Sequence, residues 1–151
     1  MEVIAAAELL LNKFGIGSDV YSATSFTELA RDAADVERNN RLSARETPQK
    51  SHVEQLLDGD RPVIAASDYV RAFPQQIAPY IRARMTVLGT DGFGRSANRK
   101  ALRRFFEVDR QHIALAAIES LVRDGDLPHS SLNEAINKLD IDPDTQAPWT
   151  L

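Results

Sequence analysis

Val87 to Asp109 reads VLGTDGFGRSANRKALRRFFEVD. A short apolar run, Met85 to Leu88, leads into three closely spaced glycines, Gly89, Gly92 and Gly94. A basic helix carrying Leu102, Phe105 and Phe106 follows. This order is strand, glycine loop, helix, the place where open α/β sheets present their working surface. Upstream, Pro62 to Ala66 is a compact apolar run expected to be a buried strand. Ser18 to Thr24, SDVYSAT, is β-rich and too short for a helix, so it is expected to be a third strand. Strands alternating with helices imply crossover units and a mainly parallel sheet between helical layers.

The helices announce themselves by caps and periodicity. Ile4, Ala7, Leu11 and Phe14 fall at helical spacing, and Gly15 with Gly17 stops that segment. Ser25-Phe26-Thr27-Glu28 is a capping box opening a helix that buries Leu29, Ala33 and Val36 and gives out near Asn39-Asn40. Residues 41–50, RLSARETPQK, lack periodicity. A second box, Ser51 to Glu54, opens a short helix expected to end at Gly59, and Asp68 is placed to cap the helix that Pro74 and Pro79 interrupt. Ser96 is placed to cap the basic helix. Asp109 caps a longer one whose Ile113, Leu115, Ala116, Ala117, Ile118, Leu121 and Val122 wrap most of its circumference, so it must be buried on more than one side. A third box, Ser131 to Glu134, starts a last helix through Leu139, before a polar tail with Pro143, Pro148 and Trp149.

With 151 residues the chain has room for one domain, residues 1–151, with a sizeable core. Its net charge of −4 argues against a general affinity for nucleic acid or anionic membranes. The chain has no cysteine, which excludes disulfides, thiolate nucleophiles and cysteine zinc sites and fits a cytoplasmic location. No segment approaches the roughly 18 consecutive apolar residues of a membrane span. The start, MEVIAAAELLLNKFG, carries Glu2, Glu8 and Lys13 and lacks the pattern of a secretory signal.

The loop from Gly89 to Gly94 matches neither the dinucleotide pattern nor the lysine-bearing P-loop. Its glycines suit either a close turn or a small-anion site at a helix start. Arg95, Arg99, Lys100, Arg103 and Arg104 form a basic face beside it, either solvated or a docking surface for an acidic partner or neighbouring domain. His52, His112 and His129 share no motif and show no serine or carboxylate pairing. Asp140 to Asp144 opens like a calcium loop, but Thr145 replaces the glycine and Leu151 the final glutamate. Asp58-Gly59-Asp60 and Asn39-Asn40 have the wrong composition and order for a thiamine diphosphate signature.

Three blocks carry a family resemblance: SDVYSATSFTELARD (18–32), VIAASDYVRAFPQQIAPYI (63–81) and VLGTDGFGRSANRKALRRFFEVD (87–109). They closely resemble the C-terminal region of homodimeric-type pyruvate dehydrogenase decarboxylating components, which are transketolase-like thiamine diphosphate enzymes. The resemblance implies a three-layer α/β/α transketolase C-terminal-type domain with a mainly parallel sheet. It implies a parent enzyme that decarboxylates pyruvate on thiamine diphosphate with magnesium and acetylates a lipoyl group on dihydrolipoyl acetyltransferase. The cofactor, metal and catalytic residues are then expected on preceding domains, with none on this chain. Its implied contribution is architecture and subunit contacts, with Asp91, Gly92, Phe93, Gly94, Arg95, Ser96 and Arg99 as a candidate interface loop. Expected partners are the remaining domains of the same enzyme, its second subunit and the acetyltransferase, with a homo-oligomer allowed.

The sequence departs from the family pattern in three places. Relatives usually carry a tryptophan and a His-Pro pair where this chain has Arg38 to Arg45, which puts linker contacts in doubt. The acidic residue common after Gly-Arg-Ser is Ala97. Relatives also place a strand and a Gly-Ser-Gly turn before the helix that begins at Glu2. The domain is therefore expected to be truncated at its N-terminal edge and to lack that first family strand. Marginal stability, dimer formation or strand exchange are the expected consequences. An interaction or regulatory module that kept the fold and lost the enzyme is the alternative expectation.

Overall fold

A computed structural model describes residues 1–44 and 46–150. Arg45, which closes the altered 38–45 stretch, and Leu151 of the rejected calcium loop lie outside the described residues. The elements in chain order are α1 (Glu2–Phe14), α2 (Phe26–Ser43), α3 (His52–Leu56), β1 (Val63–Ala66), α4 (Ala72–Gln75), a 3-10 turn (Ala78–Tyr80), β2 (Met85–Leu88), α5 (Arg99–Phe105), α6 (Arg110–Asp124), α7 (Ser130–Lys138) and a second 3-10 turn (Pro148–Thr150).

β1 and β2 are parallel, with Val63 opposite Met85 and Ala66 opposite Leu88. Parallel neighbours need a crossover, and α4 with the 3-10 turn supplies it. Alternation along each strand then assigns the faces. Val63 and Met85 pack onto a cluster of Ala33, Val53, Ile77 and Ile81 from α2, α3 and the crossover. Thr86 points the other way, and its hydroxyl lies 3.2 Å from that of Ser120 on α6. Helical layers therefore flank the sheet on both sides, the α/β arrangement expected. On the α6 side, Leu10, Ala114, Ile118, Ala135 and Leu139 form a second cluster from α1, α6 and α7. The helix predicted to be buried on several sides is α6, which touches α1, α7 and both strands.

The expected strand at Ser18 to Thr24 is not one: residues 15–25 form no strand or helix, and 17–24 are exposed. A strand exists only as one side of a ladder, and none of the described residues offers this segment a partner. The two strands that do form are half-buried, not fully buried. On α1 the buried face is Ala6 and Leu10, while Ile4 and Leu11 are exposed. The run VIAAAELLL offers two apolar faces, and the one bearing small alanines lies against α6.

Several caps differ from expectation. Ser25 accepts from the Glu28 amide at 3.2 Å, but the Glu28 carboxylate turns to Arg31, so only half the box closes. α2 also runs on to Ser43. The Ser51–Glu54 box closes fully, and its helix ends at Leu56, before Gly59. α5 is capped by Asn98, whose Oδ1 accepts from the Ala101 amide at 2.9 Å, not by Ser96. α7 begins at Ser130 after His129 without a side-chain cap, so the Ser131 box does not form. Asp109 caps α6 as expected, accepting from the His112 amide at 3.0 Å.

Candidate functional site

The C-terminal ends of β1 and β2 open into two loops that are stitched together. The Ser67 amide donates to the Leu88 carbonyl, the Thr90 amide to the Tyr69 carbonyl, and the Thr90 hydroxyl to the Asp68 carbonyl, each at 3.0 Å. Gly89 sits inside this seam. A Cβ there would stand 2.8 Å from the Tyr69 carbonyl oxygen and 2.9 Å from the Arg71 nitrogen, both fixed backbone, so no side chain fits. Asp68 is thus not a helix cap. Its carboxylate accepts from Arg103 on α5 at 3.0 Å, tying the seam to the basic helix.

Asp91 locks the loop from the other side. Its Oδ1 accepts from the Arg71 amide at 2.9 Å and its Oδ2 from the Arg71 guanidinium. Burial works to raise the Asp91 pKa, but the bonds and charge of Arg71 outweigh it and hold the carboxyl below the usual aspartate range. The same guanidinium stacks over Trp149 at 4.7 Å. Gly92 turns with φ +107°, and a Cβ there would press to 3.1 Å on the Pro148 carbonyl. The tail therefore folds back onto the glycine loop, with Pro148 buried beneath it.

The loop's tip is free. Phe93 is 80% exposed, and Gly94, Arg95, Ser96 and Arg99 are exposed as well. Arg95 lies over the Phe105 ring at 4.4 Å. Near the base of this loop stand three aromatic residues outside the expected interface positions. Tyr69 and Phe73 pair at 4.9 Å, and Trp149 lies exposed beside the loop. Only Trp149, an isolated tryptophan in a polar tail, carried a signal in the sequence.

On the basic face, Arg103 also reaches Glu2 at 3.5 Å, and Arg110 holds Glu2 at 2.9 Å. The Arg110 hydrogen bond is the main reason the Glu2 carboxyl lies below its ordinary range. Arg104 lies 3.4 Å from Asp109 and also donates to the Asp140 carbonyl. His112, unpaired in the sequence reading, has its Nδ1 2.7 Å from Asp109. One helical turn separates them, and the capping carboxylate accepts from both backbone and ring. Burial opposes ionisation of Asp109, yet these bonds and the nearby Arg104 keep its carboxyl below the usual range.

The family profile of the transketolase-like TK C-terminal domain matches residues 1–109, more than half of the chain. The chain belongs to this family. The transketolase-like C-terminal domain described here is 51% identical to the pyruvate dehydrogenase E1 component of Cupriavidus necator over 99% of its length, and 51% to that of Pseudomonas aeruginosa over 97%. The corresponding protein of Escherichia coli is 46% identical over 95%. In the first two the domain spans 17% of the relative, about a sixth, and in the third 16%. It is homologous to the C-terminal part of these larger proteins.

The resemblance implied thiamine diphosphate and magnesium in a parent enzyme. Among the described residues no group of three or more His, Asp or Glu side chains is placed to hold a metal ion. No helix among the described residues is long and apolar enough to cross a membrane.

Proposed function

We propose that this chain is the C-terminal architectural and subunit-contact domain of a cytoplasmic, homodimeric pyruvate dehydrogenase decarboxylating component, inactive by itself. Pyruvate decarboxylation on thiamine diphosphate and magnesium, and acetylation of a lipoyl group on dihydrolipoyl acetyltransferase, belong to the assembled enzyme. The observation that carries this reading is identity of 51% along 99% of the chain with an E1 component of which it forms 17%. The loop geometry supports a contact role. Asp91, Arg71 and the tail fix the base of a loop from which Phe93 projects, and Tyr69 and Trp149 are exposed beside that base. Exposed aromatics on a fixed scaffold are favoured contact residues.

Reconstitution tests the reading. The chain is mixed with an E1 polypeptide lacking the matching part, and pyruvate-dependent dye reduction is followed with thiamine diphosphate and magnesium. The chain alone is expected to give no turnover and the mixture to regain it, while Phe93→Asp folds but fails to reconstitute. Decarboxylation by the isolated chain overturns the proposal. Failure of the wild-type mixture to associate favours the alternative of a separate interaction module, which the altered stretch around Arg38-Asn39-Asn40 supports.

A further inference from the structure

A second concave surface lies where the start of α1, α5, the start of α6 and the residues after α7 meet. It is a cleft of about 720 Å3, within the range of small-molecule sites. Five cations line it (Arg99, Lys100, Arg103, Arg104 and Arg110) against the acids Glu2, Asp109 and Asp140. The excess is unevenly placed. Glu2 holds Arg103 and Arg110, and Asp109 with the Asp140 carbonyl holds Arg104. These three guanidinium groups are already held by native partners, although Arg110 is itself exposed. Arg99 and Lys100 make no ion pair or side-chain hydrogen bond to any described residue, and both are exposed at the rim.

We propose that this cleft binds a small organic anion carrying two phosphoryl groups without a bridging metal, with Arg99 and Lys100 as its direct contacts. Concavity favours a small molecule over a protein surface, and a guanidinium beside an ammonium suits phosphoryl oxygens. Arg99 and Lys100 are two separate cations at the cleft, and consecutive residues of a helix leave it about 100° apart. A ligand charged at two points satisfies both, and one phosphate does not. The excess of positive charge repels a divalent cation, so the metal-free anion is the species bound.

Calorimetry on the full chain, without divalent metal, tests this with inorganic pyrophosphate, inorganic phosphate and a hexaglutamate peptide. Pyrophosphate is expected to bind saturably, and phosphate at least about tenfold more weakly. The Arg99→Gln/Lys100→Gln double variant is expected to weaken pyrophosphate binding by about tenfold or more, as loss of charge-assisted hydrogen bonds does. Arg123→Gln, elsewhere on α6, is expected to leave it unchanged. If the double variant loses helical signal by circular dichroism, the two single variants are read the same way. Absence of saturable heat, or affinity undiminished by the Arg99 and Lys100 changes, overturns the proposal. Tighter binding of hexaglutamate than of pyrophosphate overturns it in favour of an acidic protein partner. None of these readouts involves turnover, so the outcome is independent of the reconstitution.

Discussion

The two sides of the sheet solve the same packing problem differently. On the α6 side, Leu10, Ala114, Ile118, Ala135 and Leu139 come from three helices, two of them 13 and 15 residues long. Apolar contact runs along their length, and among the described residues polar bonds such as Glu2 to Arg110 join them only at their ends. On the other side, Ala33, Val53, Ile77 and Ile81 come from α2, the crossover and α3, which has only five residues. A helix that short does not hold its own shape. Polar latches fix it instead. Asn40 exchanges two 2.8 Å hydrogen bonds with the Gln49 backbone, Asp32 accepts from the His52 amide at 2.9 Å, and the Ser51–Glu54 box closes around a buried serine. Where elements are long, surface area sets geometry, and where they are short, directional bonds must.

That contrast makes graded predictions, all read by urea denaturation. Ile118→Ala, at a side chain 1% exposed, is expected to cost about 2–5 kcal/mol, since the surrounding helices relax only partly into the cavity. A smaller effect there than at any polar latch breaks the comparison. Asp109→Ala removes the cap of α6 and leaves His112 and Arg104 without their carboxylate, at an expected cost of about 2 kcal/mol. Because Asp109 binds its proton more weakly folded than unfolded, its contribution is complete above the ordinary aspartate value of about 3.9. It is lost as pH falls through the lower folded value. Asp109→Asn, which still caps, is expected to flatten that acid slope. An unchanged slope removes Asp109 from the account.

Ser51→Ala is expected to cost about 1 kcal/mol, and its sharper signature is faster amide exchange confined to α3. Uniform exchange across the molecule denies the latch its local role. The smallest effect is expected at Arg31→Ala. Its partner Glu28 is 62% exposed, so the urea midpoint is expected to stay where it is, since solvent screens such a pair.

What the sequence made legible follows the same divide. Apolar runs long enough to have a period, such as Ile113 to Val122, were read correctly, as was the strand–loop–helix order of residues 85–105. Features that depend on a partner were not. Ser18 to Thr24 has strand-like composition but lacks a neighbour to pair with, and α1 carries two apolar faces that only α6 can choose between. Ser96 and Asn98 are both competent caps, and the winner depends on where the loop releases the chain. Asp68 looked like a cap because the arginine it binds lies 35 residues away. The glycine loop is marked by its spacing. The tail that seats on it has no such mark, because a contact between residues 92 and 148 leaves no periodic trace.

Trp149 is the chain's single tryptophan, and its indole rests 4.7 Å from the Arg71 guanidinium that also grips Asp91. Its ultraviolet emission therefore reports on one spot only. Anything that seats on the glycine loop, or pries the tail away from it, should shift the fluorescence wavelength before the bulk of the molecule responds. The domain thus carries an optical probe of its own contact surface, with no dye to attach.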